Sequence, residues 1–241
     1  MTENQKRLEE LSDRAFERGR PVYSEFLSMA EISELKSMRL PESPVLWGGY
    51  EGAERSVACF GGDENFSGFP VVCVKIEPLN QKFADTLTHR DFLGSLMALG
   101  IRREVLGDII LSGNCGYLFC LESISEYIVL SLDKVRHTSV KCAKTEDIPS
   151  ALTDAEEAQY IVSSERLDVI IAAVYSLSRK ECLKLFEAQK VFVNSVIKTS
   201  PSFIPSAGDI ISVRGFGRFS FGGTLRQTKK GRLVISAGIY R

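Results

Sequence analysis

The chain has 241 residues, 44% of them hydrophobic and 25% charged, with a formal net charge of −1. This length suits one large domain or two to three small ones, each with its own core. No window approaches the roughly 20 apolar residues that a bilayer requires, so we expect no membrane span, and the charge of residues 1–17 leads us to expect no secretory signal. We therefore expect a monomeric, cytoplasmic protein with no membrane partner.

Residues 1–69 carry an α+β pattern. Leu8, Leu11 and Ala15 have helical spacing, and the sequence Gly-Arg-Pro that follows predicts the end of this helix. A second helix is predicted to begin at Ser28, because Ser28 and Glu31 have the spacing of a capping box. Two apolar runs on either side of a glycine-rich turn then predict a hairpin, Val45–Trp47 with Val57–Phe60. We treat residues 1–69 as an N-terminal helix and hairpin module.

Residues 70–149 follow the order βαββαβ, which predicts a ferredoxin-like (RRM-like) split βαβ module. Tyr117 and Phe119 alternate on its third strand and are expected to face one side of the sheet together. In an RRM such rings stack on RNA bases, whereas elsewhere they pack in the core, and both interpretations stay open here. Residues 144–159 are polar and acidic, which favours a linker or a short peripheral helix.

The last module, residues 163–241, is basic. It carries 13 Lys and Arg against 5 Asp and Glu, whereas the first 162 residues carry 17 against 26. An apolar helix is predicted to begin near Arg166, and a second one begins at Ser178, where Glu181 completes a capping box. Arg179 and Lys180 occupy its first turn, where the helix dipole already favours an anion such as phosphate.

Short strands near Val191–Val193 and Ile210–Val213 should place these two helices on a small curved sheet. A run of basic, aromatic and glycine residues follows from Arg214 to Gly223, with further cations up to Arg232. Such a run suits a hairpin whose cations neutralise phosphates while phenylalanine rings stack on bases. The alternative is an ordinary hairpin with phenylalanine inside and arginine outside.

This C-terminal module resembles the S-four RNA-binding domain, through its Arg166-Leu167-Asp168 and Ser178-Arg179 helix starts and its Val191-Phe192-Val193-Asn194 hairpin. The resemblance implies an αL-motif surface that grips structured RNA. Gln189 and Ser195 stand where the family usually has glycine. The RNA contacts expected from the resemblance and from the basic run are Arg166, Arg179, Lys180, Lys184, Lys190, Arg214 and Arg218.

The resemblance covers nearly the whole chain. The blocks Gly48-Gly49-Tyr50, Ala53-Glu54-Arg55, Thr88–Gly94, Leu99–Arg103 and Leu106–Ile109 are similar to those of the YlmH-like proteins. That family implies a non-enzymatic partner of ribosomal RNA on the large subunit, of peptidyl-tRNA and of the tRNA-recruiting tailing factor. Its role there is to support alanine tailing of stalled nascent chains in ribosome-associated quality control.

No catalytic, metal or cofactor site is predicted. The six cysteines lack any CxxC spacing and lie mostly in apolar runs, which is typical of core thiols. His89, Arg90, Arg102 and Arg103 are a possible second RNA contact, although the last two also fit a solvated turn. The rival classes are an RNA-modifying enzyme of pseudouridine synthase or methyltransferase type, whose motifs we do not find, and an adaptor in cell division or photosynthetic membranes.

Overall fold

The computed structural model describes residues 2–62, 68–148 and 155–240, with the backbone alone for Phe83. It has an α+β fold that divides into two compact units, Met1–Leu152 and Thr153–Arg241. Within the described residues, no helix combines the length and the apolar character needed to cross a bilayer.

The first 60 residues place two helices on a three-stranded antiparallel sheet. The elements are α1 (Glu3–Arg18), β1 (Val22–Leu27), α2 (Met29–Ser37), β2 (Val45–Trp47) and β3 (Ser56–Phe60), with sheet order β1-β3-β2. Gly19 ends α1 in the left-handed conformation, at φ 58°, and Ser28 and Glu31 form the predicted capping box of α2. Both predicted helices and the hairpin are confirmed. The sequence did not predict β1, which pairs with β3, more than thirty residues further along the chain.

The next segment has the predicted split βαβ topology. Its elements are β4 (Val71–Pro78), α3 (His89–Ala98), β5 (Leu106–Ser112), β6 (Cys115–Leu121), α4 (Glu122–Ser131), β7 (Lys134–Val135) and β8 (Thr138–Thr145), with single 3₁₀ turns at Gln81–Phe83 and Arg103–Val105. The sheet order is β5-β6-β4-β8-β7 and all pairs are antiparallel, as the ferredoxin-like arrangement requires. Both helices pack on one face, around a core that includes Phe92, Leu118 and Ile128.

The other face of this sheet is covered by the first 60 residues. Tyr117 and Phe119 do point to one side together, as predicted, but they are only 6% and 0% exposed. The ring of Tyr50 stacks on Phe119 with 4.8 Å between centroids, and Phe26 belongs to the same cluster. A side chain at Gly49 would place its Cβ 2.2 Å from the Phe119 ring, so only glycine fits there. The two aromatic residues therefore serve core packing, and this sheet face offers no surface for stacking RNA bases.

A polar network fastens the same two layers together. The Asp108 carboxylate on β5 accepts hydrogen bonds from the Tyr50 hydroxyl at 2.9 Å and from the backbone amides of Glu54 and Arg55 at 2.7 and 3.2 Å. The Arg55 guanidinium donates to the carbonyls of Phe26 and Leu106, both at 2.9 Å. Three of the blocks that resemble the YlmH-like proteins, those that contain Tyr50, Arg55 and Asp108, thus meet at one place. The division of this unit into two modules stays a prediction.

The second unit packs two helices on a six-stranded antiparallel sheet. Its elements are β9 (Glu156–Val162), α5 (Leu167–Val174), α6 (Arg179–Glu187), β10 (Val191–Val193), β11 (Val196–Ile197), β12 (Ile210–Val213), β13 (Gly217–Gln227) and β14 (Leu233–Tyr240). The sheet order is β11-β10-β12-β13-β14-β9. Its core includes Leu167, Ile171, Phe186, Phe219 and Ile235.

The linker prediction for residues 144–159 is wrong at both of its ends. Lys144 and Thr145 complete β8, and β9 begins at Glu156 and pairs with β14. Residues 149–154 lie outside the described part of the chain. Strand β9 was not predicted for two reasons. Its exposed side is polar, so its sequence lacks the apolar residues that indicate a buried strand. Its partner β14 lies about seventy residues further along the chain.

Two positions where the S-four family usually has glycine keep a left-handed backbone without it. Gln189 has φ 52° and Ser195 has φ 63°. Asn194, at φ 49°, is fixed by hydrogen bonds between its side chain and both Asp209 and the backbone of Ile210. A left-handed conformation costs about 1 kcal/mol for most residues with a side chain.

We therefore expect Ser195→Gly to raise the free energy of unfolding of the second unit by about 0.5 to 1 kcal/mol, because glycine adopts this conformation without strain. Ser206→Gly is the matched control, at an exposed position whose φ is not positive, and it should leave stability unchanged or lower it. Thermal denaturation measures both. Equal effects of the two variants would contradict the assignment of strain to Ser195.

Four of the six cysteines are buried, as predicted for core residues, whereas Cys115 and Cys142 are partly exposed. Burial raises the pKa of Cys73 and Cys120 to about 12 and that of Cys142 and Cys182 to about 11. These thiols are consequently protonated at neutral pH, which makes them poor nucleophiles.

Candidate nucleic-acid interface

Helices α5 and α6 form the scaffold of the candidate site. Leu167, Ile170 and Ile171 bury one face of α5, while Cys182, Leu185 and Phe186 bury one face of α6 against the sheet. This spacing of three and four residues leaves the opposite side of α6 to solvent. The cations on that side are therefore held in place by a packed core.

The amino end of α6 has the predicted capping box. The Glu181 carboxylate accepts hydrogen bonds from the Ser178 amide at 2.9 Å and from its hydroxyl at 2.6 Å, while Ser178 Oγ accepts from the Glu181 amide at 3.3 Å. These bonds lower the pKa of Glu181, which is an anion at neutral pH. An acid of the chain itself thus already occupies this helix end. The Glu181 carboxylate weakens the attraction of this helix end for a phosphate, so the flanking cations Arg179 and Lys180 become more important for it.

Five of the seven predicted contacts are exposed cations. None of them forms a salt bridge with a carboxylate of the described residues. They are Arg179, Lys180 and Lys184 on α6, Lys190 after it, and Arg214 at the end of β12. Lys180 and Lys184 are one helical turn apart, so they lie on the same side of α6.

Lys190 and Arg214 are brought together by the sheet although they are far apart in sequence. Val191 pairs with Val213 across β10 and β12, and the next bond of the ladder runs from the Arg214 amide to the Lys190 carbonyl at 3.0 Å. The Arg214 guanidinium also lies 5.2 Å from the centre of the Phe192 ring. Two cations therefore stand side by side at this end of the sheet.

Arg166 has a different role from the one predicted. Its guanidinium donates two hydrogen bonds to the Asp168 carboxylate, at 3.0 and 2.9 Å, and Asp168 is only 3% exposed. Asp168 also accepts from the amide of Val169 at 3.0 Å. Because two nitrogens of its guanidinium bind the buried Asp168 carboxylate, the main role of Arg166 is to fix the start of α5. It can present only its remaining donors to a ligand.

Arg218 is not available as predicted. It is 8% exposed, and its guanidinium lies 4.6 Å from the centre of the Tyr240 ring. The two residues are direct partners across β13 and β14. A phosphate contact requires an exposed cation, so we withdraw Arg218 from the candidate site.

Four further cations of the predicted basic run, which were not among the seven named contacts, lie at the tip of the hairpin formed by β13 and β14. Hydrogen bonds between Thr228 and Arg232 close this tip, from the Thr228 amide to the Arg232 carbonyl at 2.7 Å and from the Arg232 amide to Thr228 Oγ1 at 3.0 Å. The exposed cations are Arg226, Lys229, Lys230 and Arg232. Their spacing in the sequence was the available signal, but only the hairpin shows that they project from one tip.

In the second predicted group, which lies in the first unit, Arg103 is committed to internal contacts, whereas Arg90 and Arg102 are exposed. Arg103 donates to the carbonyls of Leu106 and Gly107 at 2.7 and 3.0 Å, and burial, with the charge of Arg55, lowers the pKa of Arg103 to about 10. Arg102 forms an ion pair with Glu25. Burial and the charge of Arg103 lower the pKa of His89, which is consequently neutral at pH 7. Arg90 is exposed and remains a predicted contact.

Comparison with known proteins agrees with this architecture. Residues 65–149 match the family described as "Putative RNA-binding domain in YlmH", and residues 165–211 match the S4 domain, which is the S-four domain of the sequence analysis. Over 200 residues the chain is 30% identical to the ribosome-associated protein quality control protein P2 of Bacillus subtilis, covering 78% of this chain and 75% of that protein. The solved cell division protein YlmH from Streptococcus pneumoniae has a TM-score of 0.48 at 19% identity, over 59% of this chain and 88% of that one.

The fold and these matches define the class of the protein: it carries an S4 domain and a second domain of RNA-binding type, which support a role in binding RNA. More narrowly, the chain belongs to the YlmH-like family, as the match over residues 65–149 and the 30% identity to the Bacillus subtilis quality control protein P2 show.

Proposed function

We propose that this protein is a non-enzymatic factor that binds the large ribosomal subunit carrying a peptidyl-tRNA in the cytoplasm and supports alanine tailing of stalled nascent chains. It holds ribosomal RNA and tRNA through phosphate contacts of the S4 domain, alongside the tRNA-recruiting tailing factor. The name of the Bacillus subtilis relative supports the ribosomal setting.

The observation that carries this proposal is the set of exposed cations on the S4 domain, Arg179, Lys180, Lys184, Lys190 and Arg214. Exposed cations on a packed scaffold attract a polyanion, because each phosphate contact releases counterions. The acidic residues Glu156 and Glu157 lie on β9, at the opposite edge of the sheet from β10 and β11. This distribution of charge favours an RNA that approaches from the side of α6 and β10.

Sedimentation tests the proposal directly. Purified protein should comigrate with large ribosomal subunits in a sucrose gradient at low salt, more strongly when the subunits carry peptidyl-tRNA. Five phosphate contacts predict that the logarithm of the binding constant falls against the logarithm of salt concentration with a slope of about −4. Sedimentation as free protein at low salt would refute the proposal, and a flat salt response would point to a protein partner instead.

Arg179→Glu should weaken binding to large subunits about 10-fold and reduce the salt slope by about 1, because the variant replaces one phosphate contact with a repelling charge. The fold should persist, since an acid in the first turn of a helix is favourable and Arg179 is exposed. Sedimentation at several salt concentrations measures the change. Arg14→Glu, an exposed position on α1 with the same change in charge, is the control and should bind like the original protein. Unchanged binding by Arg179→Glu would remove Arg179 from the site.

A further inference from the structure

One aromatic ring of the second unit stands outside its core. Phe216 lies in the turn between β12 and β13 and is 45% exposed, whereas Phe219 and Phe221, the next two phenylalanines, are 0% and 2% exposed. Of the two hairpin interpretations in the sequence analysis, "phenylalanine inside" is thus correct for Phe219 and Phe221 but not for Phe216. The exposed ring is the feature that the proposed function does not use.

The turn holds this ring in a defined place. Gly215 and Gly217 on either side have φ of 91° and 116°, conformations that residues with a side chain rarely adopt, and the Phe216 amide donates to the Val213 carbonyl at 2.9 Å. One side of the ring contacts Tyr175, with 5.5 Å between centroids. Tyr175 in turn contacts the buried Phe219 ring at 5.8 Å. Phe216 therefore packs on Tyr175, which in turn packs on the core residue Phe219.

Exposed cations lie close to Phe216 in the sequence. Arg214 precedes Phe216 by two residues, and its amide is bonded to the carbonyl of Lys190. Tyr175 ends α5 and begins the turn that leads to Arg179 at the start of α6. An exposed aromatic ring on a domain with exposed cations matches the chemistry of a nucleotide, which carries an aromatic base and a phosphate.

We propose that Phe216, resting on Tyr175, is a stacking platform for one unpaired nucleobase of the RNA, while exposed cations of the S4 domain bind phosphates of the same RNA. This inference rests on the proposed function and narrows its substrate. Bases inside an A-form duplex are stacked on one another and cannot reach a protein ring, so the occupant must come from a loop, a bulge or a strand end. The S4 domain then distinguishes a helix with an unpaired nucleotide from a continuous duplex.

Two RNA probes test the inference: a stem with a single bulged 2-aminopurine, and the same stem fully paired. Wild-type protein should bind the bulged stem more tightly and quench its fluorescence on stacking. Phe216→Leu should lower affinity for the bulged stem about 10-fold and remove the quenching, while affinity for the paired stem is unchanged. Phe216→Tyr keeps an aromatic ring and should behave like the wild type.

Several outcomes would overturn the inference. Absence of quenching with wild-type protein, or equal affinity of wild type and Phe216→Leu for the bulged stem, would show that no base stacks on this ring. Equal weakening on both stems would indicate a general effect on the fold. If Phe216→Leu weakened binding to large subunits without any change on the two stems, the ring would contact a protein. In each case, comigration of the wild type with large subunits would still support the proposed function. Failure of the stacking inference can thus be distinguished from failure of the proposed function.

Discussion

Replacing Asp108 with alanine is expected to lower the free energy of unfolding of the first unit by about 3 to 4 kcal/mol. The Asp108 carboxylate accepts three hydrogen bonds, from the Tyr50 hydroxyl and from the amides of Glu54 and Arg55. Without the Asp108 carboxylate, each of these donors loses its acceptor, which costs about 1 to 3 kcal/mol per unsatisfied group. The half-buried positive charge of Arg55 also loses a nearby negative charge. Urea denaturation measures the change. The single tryptophan, Trp47, lies on β2 of this unit, so its fluorescence reports the transition of this unit alone.

Asp13→Ala is the control for this experiment. Asp13 is exposed on α1, and its replacement should change stability by no more than about 0.5 kcal/mol. The comparison also requires a similar dependence on urea in both variants, since a changed slope would mean a changed denatured state. A loss below about 1 kcal/mol for Asp108→Ala would show that the network does not hold the two layers together.

Reversing Lys190 and Arg214 together, as Lys190→Glu with Arg214→Glu, is expected to lower affinity for large ribosomal subunits about 100-fold at low salt. The two residues are exposed neighbours across β10 and β12, so the double variant turns a paired positive surface into a negative one. The salt slope should fall by about 2, because two phosphate contacts are lost. Sedimentation at several salt concentrations gives both quantities.

The matched control is Lys6→Glu with Arg14→Glu, two exposed cations on α1 in the first unit. It changes the net charge of the protein by the same amount, so it separates a local contact from general repulsion between the protein and RNA. Comparable losses for the two double variants would count against a localised interface on the S4 domain.

Local signals in the sequence were sufficient for much of the scaffold. The capping boxes at Ser28 and Ser178 depend on residues three positions apart, so both helix starts could be predicted and both are confirmed. The alternation of Tyr117 and Phe119 likewise placed both rings on one side of a strand. Which side of the sheet would be covered depended on residues 1–60, and no local pattern contains that information.

The failure to predict β1 and β9 and the wrong prediction for Arg218 share a physical cause, which is pairing between distant parts of the chain. Strand β1 is stabilised by β3 and strand β9 by β14, and neither partner is close in sequence. Arg218 is removed from solvent by Tyr240, twenty-two residues later. By contrast, the pair between Arg166 and Asp168 spans only two residues, and its signal was available but was interpreted as an RNA contact.

The aromatic cluster between the first 60 residues and the split βαβ sheet has a practical consequence for dissecting this protein. A fragment that begins at residue 70 would expose Tyr117, Phe119 and Cys73 to solvent. Its Asp108 carboxylate would also lack the hydrogen-bond donors that residues 50–55 provide. Such a piece would tend to self-associate, and its adhesion to nucleic acid in a binding assay would reflect damaged protein. Deletion studies are better made at the division between the two compact units, so that each half keeps its interior intact.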